Sequence, residues 1–158
     1  MNNFAFIDAH NVYRATKSAG WQLDWAKLYT YLRDKYKIKR TYIFLGYLPE
    51  NEDLYRRLKK IGYELIFKEA ISVNGKIKAN VDAELVLQSM IDYPEYDQAL
   101  LLSNDGDFAC LVRYLLGKSK FMLVLSPDYR FCSLLLKKAF NKRIPSLSDL
   151  REKLEYKK

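Results

Sequence analysis

Apolar positions along the chain follow two rhythms. Short runs rich in aromatic and branched residues, Phe4–Ile7, Thr41–Leu45, Tyr63–Phe67, Ala99–Ser103 and Phe121–Leu125, read as strands. Between them, apolar residues recur three and four apart, the spacing of one helix face. Over Asp24–Lys37, Trp25, Leu28, Leu32 and Tyr36 form one stripe behind an Asp24 N-cap. Asn51–Ile61 turns Leu54, Leu58 and Ile61 inward and stops at Gly62, which suits a helix C′ position. Val81–Ile91 carries Val81, Leu85, Val86 and Met90. Further helices are predicted over Phe108–Leu116, Arg130–Phe140 and, after a short Arg143–Ile144 segment, Ser146–Glu155. Ile71–Ile77 alternates around Asn74-Gly75, a strong hairpin signal that suggests a small flap.

Strands that alternate with helices predict an α/β chain with a mainly parallel sheet. Ala99–Ser103 is apolar enough to be buried on both faces, as a central strand is. At 158 residues, one core needs neither disulfide nor structural metal, and 49% hydrophobic residues exclude a disordered chain. Runs such as Ala99–Leu102 and Met122–Leu125 are too short to cross a bilayer, and the N-terminus reads as a first strand without a basic leader. One soluble, cytoplasmic domain is expected over 1–158, ending in a basic helical extension from about 142, with no membrane partner. Oligomeric state stays open, a homodimer included.

Charge changes the picture. The net charge of +8 falls entirely in residues 113–158, which hold 12 Lys and Arg against four Asp and Glu; residues 1–112 are neutral. Ala79–Val112 has no Lys or Arg but seven acids: Asp82, Glu84, Asp92, Glu95, Asp97, Asp105 and Asp107. An acidic centre bracketed by basic segments fits a cation site inside a phosphate-binding field. Two cysteines and one histidine are too few for a Cys/His zinc site or a two-histidine ribonuclease, and no nucleophile elbow exists. Cys110 in FACLV and Cys132 in FCSLLL are expected to be buried, reduced thiols.

In open parallel sheets, functional residues gather past the carboxyl ends of the strands, where the winding reverses. Asp8 follows the first strand, Asp105 and Asp107 follow Ala99–Ser103, and Asp82 opens the helix that enters it. If those two strands are neighbours, four carboxylates meet at one pole. Like charges at close range cannot all stay ionised without a counter-charge. A hard divalent cation, Mg²⁺ or Mn²⁺, supplies it and suits phosphoryl chemistry. Taken singly, Asp82 and Asp107 are also natural helix caps, while a charge ending a buried first strand has little structural reason. Asp105-Gly106-Asp107 lacks the flanking helices and the twelfth-position Glu of an EF-hand. Neither the paired acids of haloacid-type phosphatases nor the arrangement of receivers is present.

FIDAHN (Phe6–Asn11), NVDAELVL (Asn80–Leu87) and LLSNDGDFACLV (Leu101–Val112) resemble, in order and spacing, the three acidic motifs of the NYN domain family, also called LabA-like or DUF88 and related to PIN-domain ribonucleases. The resemblance runs from the first strand to about Leu125. It implies a PIN-like Rossmannoid three-layer sandwich with sheet order 3-2-1-4-5. It also implies a metal-dependent ribonuclease in which Asp8, Asp82, Asp105 and Asp107 are catalytic metal ligands. Asn11 matches the family's Asn after the first acid, where it orients that carboxylate or meets a phosphate, and Ser103 and Asn104 support the site. Asn104 stands where the family often has Gly, at a tight turn whose left-handed backbone Asn tolerates. Gln88 replaces an acid often found further along the middle helix, which weakens a second metal. His10 stands where small or acidic residues are commoner and is a candidate for substrate contact.

Single-stranded RNA needs cations along its backbone and flat side chains for its bases. His10, Arg14 and Lys17 after the first motif, Lys76 and Lys78 at the flap, and Arg130 after the last strand are the candidate substrate contacts. Tyr13, Trp21 and Tyr47 are candidate stacking residues, and Asp128 is read as a cap or a fifth carboxylate. The expectation is a Mg²⁺/Mn²⁺-dependent RNase leaving 5′-phosphate and 3′-hydroxyl ends. The alternative is a non-catalytic RNA-binding or scaffold protein on the same fold.

Overall fold

The computed structural model describes residues 1–69, 71–74, 76–78 and 80–158, with backbone alone at 71–73 and 76–78. The chain runs β1 (Asn3–Asp8), α1 (Ala9–Ser18), α2 (Trp25–Tyr36), β2 (Ile38–Tyr47), α3 (Glu52–Ile61) and β3 (Glu64–Glu69). It continues as β4 (Ile71–Val73), β5 (Lys76–Lys78), α4 (Asp82–Ile91), β6 (Ala99–Leu102), α5 (Ala109–Gly117), β7 (Phe121–Leu125), α6 (Leu134–Ala139) and α7 (Arg151–Leu154). The main sheet has the order β3-β2-β1-β6-β7, and every pairing in it is parallel. Counted among its own five strands, that is the expected 3-2-1-4-5.

Strand periodicity sorts the side chains into two cores. Phe4, Phe6, Tyr42, Phe44, Ala99 and Leu101 face one side, where Leu85 of α4, Val112 of α5 and Leu136 of α6 cover them. Ala5, Ile7, Ile43, Leu45, Leu100 and Leu102 face the other, against Val12 of α1, Leu28 and Leu32 of α2 and Leu58 of α3. The result is three layers with β1 and β6 buried throughout. Winding proceeds outward from β1 through β2 to β3, then returns to β6 and proceeds through β7. The reversal therefore falls between β1 and β6, which pair from Phe4↔Ala99 to Ile7↔Leu102.

Asp24 caps α2 by accepting from the Lys27 amide, as its position predicts. Gly62 ends α3 at φ +131° with Tyr29 against it, a close approach that a side chain would obstruct. β4 and β5 pair antiparallel around Asn74, which has φ +53°; Gly75 of that expected turn lies outside the described residues.

Elsewhere, local chemistry redraws the elements. A helix not predicted from the pattern, α1, begins at once after β1, because Asp8 caps it through the Asn11 amide and Val12, Ala15 and Thr16 turn inward. The expected helix Arg130–Phe140 is broken in two. Asp128 caps a 3₁₀ turn at Tyr129–Phe131, Cys132 is extended, and Ser133 starts α6 afresh through the Leu135 amide. In the stretch from about 142, Ile144 enters the first core, and Leu147 and Leu154 enter the second. Ser126↔Ser146 and Leu23↔Glu155 bridges hold this stretch to the domain, and the expected last helix is a 3₁₀ turn at Leu147–Leu150 followed by α7. Among the described residues, no helix is long and apolar enough to cross a membrane.

Candidate metal centre

Three carboxylates converge at the reversal point. One oxygen from each of Asp8, Asp82 and Asp105 lies within 4.8 Å of the others. Each is delivered by a different turn: Asp8 ends β1, Asp82 opens α4, and Asp105 follows β6 ahead of a 3₁₀ turn at Gly106–Phe108. Asp8 is buried, and the other two are partly exposed. None of the three is in an ion pair among the described residues.

A web of hydrogen bonds holds this pole. The Asn11 amide donates to Asp8 Oδ1 (3.4 Å), and the Ser103 hydroxyl donates to Asp8 Oδ2 (3.3 Å). Ser103 Oγ in turn accepts from the Asp105 amide (3.0 Å), and Asp105 Oδ1 accepts from the Asp107 amide (2.9 Å). Asn80 Oδ1 accepts from the Asp82 amide (2.8 Å), fixing the entry to α4. The Asn11 side chain does not reach Asp8; its Oδ1 accepts from the Asn104 amide (2.8 Å), tying the first motif to the third. Asn104 is buried and lies outside the positive-φ residues, contrary to the left-handed turn expected there. Its side chain is needed for bonding: Nδ2 donates to the Asp128 carbonyl (3.2 Å), and Oδ1 accepts from the Ser126 hydroxyl.

Electrostatics follows from the geometry. Burial, and then the Asp105 charge, push the Asp8 pKa up to about 6 against the opposing Asn11 and Ser103 bonds. Burial, the Asp105 charge and contact with Asp107 push Asp82 up to about 7. Neutral pH therefore holds these groups close to their titration, the behaviour of a carboxylate cluster short of positive charge. The donor set is three hard oxygens with no thiolate or imidazole, which fits a divalent cation of the Mg²⁺ or Mn²⁺ kind.

Asp107 is exposed and outside the trio, although it touches Asp82. Neither Asp82 nor Asp107 caps a helix; that task falls to Asp105, which caps the 3₁₀ turn, and to Asp8, whose capping of α1 supplies the structural role not foreseen for it. Asp128 is a cap that also grips Arg130, not a fifth carboxylate of the cluster. Gln88 donates to Asp92 (3.1 Å), two turns along α4 from Asp82.

Of the expected substrate contacts, His10, Arg14 and Lys17 are exposed on α1, and Arg14 is near enough to Asp8 to bear on its charge. Burial and the Arg14 charge hold the His10 pKa below the usual imidazole value. Arg130 is exposed, while the side chains of Lys76 and Lys78 lie outside the described residues. Tyr13 is exposed with Lys17 over its ring, and Tyr47 donates to Glu52. Trp21 is buried beneath Arg151 and cannot receive a base. Cys110 is exposed on the outer face of α5, not buried as expected; Cys132 is buried, and both are free. A cation that the sequence did not single out, Lys68 on β3, donates to the Asn80 carbonyl (2.8 Å) and faces Glu84 at the α4 entry. Its signal would have been its place at the carboxyl end of a strand.

Comparison with known proteins places the chain in a family and a fold. The chain is 27% identical over 134 residues to the low amplitude and bright protein LabA of Synechococcus elongatus, covering 78% of this chain and 72% of that one. A protein of unknown function from Vibrio parahaemolyticus has the same fold at a TM-score of 0.80 and 20% identity, over 98% of this chain and 96% of that one. The T5 5′-exonuclease with divalent metal ions (zinc) bound superposes at a TM-score of 0.54 and 16% identity, over 79% of this chain and 55% of that one. A bacteriophage T5 flap endonuclease in a complex with DNA and metal ions gives 0.51 at 14% identity, over 96% of this chain and 60% of that one. These similarities make the fold PIN-like, shared with nucleases whose structures hold metal ions. The family model of the NYN domain matches residues 4–147, from β1 past β7 and α6 to the start of the 3₁₀ turn at Leu147–Leu150, and the chain belongs to the NYN domain family.

Proposed function

We propose that the protein is a Mg²⁺- or Mn²⁺-dependent ribonuclease that hydrolyses phosphodiesters of single-stranded RNA. The observation that carries this reading is the convergence of Asp8, Asp82 and Asp105 within 4.8 Å, with Asp8 and Asp82 raised in pKa by burial and by the charge of Asp105. Their oxygens would hold the cation, which when bound supplies a Lewis acid for an in-line phosphoryl displacement. Ser103 and the Asn11 amide fix the Asp8 carboxylate, so the trio needs little rearrangement to bind. Asp107, exposed beside Asp82, completes the acidic set from the solvent side. Arg14, Lys17 and His10 on α1 approach the phosphate backbone. The nuclease neighbours support a phosphodiester substrate, and hydrolysis of this kind leaves a 5′-phosphate and a 3′-hydroxyl.

The test is cleavage of end-labelled single-stranded RNA with Mn²⁺ or Mg²⁺ against EDTA, using wild type and Asp105→Asn. We expect metal-dependent cleavage, reduced at least about 100-fold by the substitution. RNA left whole by the wild type, or equal cutting by both proteins, sinks the nuclease reading. Intact RNA that the protein nevertheless retains on a filter marks a binding module instead.

A further inference from the structure

Beside the acidic trio stands a surface that the site does not use. Past β7 the chain turns through Asp128–Ser133, and this turn is bonded to the residue preceding Asp105. Asn104 Nδ2 donates to the Asp128 carbonyl (3.2 Å), and the Ser133 amide donates to the Asn104 carbonyl (3.0 Å). Ser133 and Leu135 also pack against Gly106, between Asp105 and Asp107, so closely that a Cβ there would collide with Ser133 Oγ.

Four large side chains on this turn and the start of α6 face water: Tyr129 is 45% exposed, Phe131 56%, Leu134 63% and Leu135 53%. Exposed apolar groups set together mark a binding surface more often than a bare one. Cations accompany them. Lys137 Nζ lies 4.3 Å from the centre of the Tyr129 ring, and the Arg130 guanidinium lies 5.3 Å from that of Phe131. Arg130 is held as a fork by Asp128, Nε to Oδ1 at 3.2 Å and Nη2 to Oδ2 at 2.7 Å. The carboxylate is buried while the arginine side chain is 68% exposed, so its remaining N–H donors point to solvent in a fixed direction. Tyr129, Arg130, Lys142 and Arg143 line a recess of about 450 Å³, whose acids are Asp128, held by Arg130, and Asp149. Neither Lys142 nor Arg143 is in an ion pair among the described residues.

Exposed rings interleaved with cations are the chemistry of an unpaired nucleic-acid strand: each base offers a π face, each phosphate a charge. We propose that the Tyr129–Leu135 turn is the strand-binding lip of the metal centre. Tyr129 and Phe131 stack unpaired bases, while Arg130 and the recess cations Lys142 and Arg143 hold the phosphates flanking the one that reaches Asp105. This inference rests on the ribonuclease reading and adds the side of the site along which the strand runs. It also gives a role to the basic final segment and a reason for a single strand, because paired bases present no free faces.

The test separates binding from cutting. A fluorescein-labelled single-stranded RNA oligonucleotide is titrated in EDTA and read by anisotropy, with cleavage in Mn²⁺ measured in parallel and circular dichroism confirming that each variant is folded. Tyr129→Ala and Phe131→Ala should each weaken binding about tenfold, with little change for a duplex of the same sequence. Lys142→Gln should lower the slope of log affinity against log salt by about 0.7, and so should Arg130→Gln made together with Asp128→Asn, which leaves no buried carboxylate unpaired. A wild type that binds and cuts RNA while all four variants keep its affinity and slope overturns the lip and leaves the nuclease reading standing. A wild type that neither binds RNA in EDTA nor cuts it in Mn²⁺ overturns both, and one that cuts without binding in EDTA overturns the lip alone. A wild-type dimer split by Phe131→Ala overturns the lip in favour of a contact with a second copy of the chain.

Discussion

At the scale of single residues, the acidic pole behaves as a cost that a cation relieves. Asp8 has its pKa raised to about 6 and Asp82 to about 7, so the folded, metal-free chain binds protons more tightly than the unfolded one. Stability contributed by these groups is therefore greatest near pH 4 and is lost as pH rises through about 7. For the buried Asp8 the loss is of order 3 kcal/mol; the more exposed Asp82 is screened by water and adds less. Thermal unfolding in EDTA should show a falling Tm across that interval, and Mn²⁺ added at pH 8 should raise it. Asp82→Asn should raise the Tm in EDTA at pH 8 and abolish the response to Mn²⁺. A metal-free Tm that climbs over the same range would contradict this account of the cluster.

Elements meet at this pole through two small residues. Asn104 joins three of them, its side chain bonded to the Asp128 carbonyl and the Ser126 hydroxyl and its amide to Asn11. Asn104→Ala orphans the Asp128 carbonyl and the Ser126 hydroxyl, and should cost about 1–3 kcal/mol in denaturant unfolding. Gly106 is needed because Ser133 occupies the space of a Cβ. Gly106→Ala should push the Asp105 turn away from Ser133, costing about 1–3 kcal/mol, and should weaken the stabilisation by Mn²⁺. If the alanine variant binds Mn²⁺ as wild type does, the turn adapts without moving Asp105. The same scale explains α1 and the split final helices. Asp8, Asp128 and Ser133 are capping residues, and each starts an element where apolar spacing alone shows none or shows one continuous helix.

For the molecule as a whole, two cores share one sheet, and the last residues close the second of them. Leu147 and Leu154 are fully buried against it, and the Asp24 amide that begins α2 donates to the Leu154 carbonyl (2.9 Å). Leu154→Ala should therefore destabilise the domain by about 2–5 kcal/mol, as a core leucine does. A change below about 0.5 kcal/mol, typical of a surface site, would place the segment outside the cooperative unit.

By itself the sequence determined the alternation of strand and helix and the motifs that carry Asp8, Asp82 and Asp105, while the reversal of winding entered through the family resemblance. The alternation and the motifs follow from apolar periodicity and from charges placed at strand ends, both of which are local. Tertiary structure decided which acids meet. Asp8 and Asp105 come together because β1 and β6 pair, and Asp107, two residues further on, falls outside the trio. It also decided that Trp21 is core and Phe131 is surface, and that Asn104 is a staple and not a turn residue. Burial and hydrogen-bond partners across 20 to 100 residues of chain depend on how layers stack, and no short window of sequence contains them.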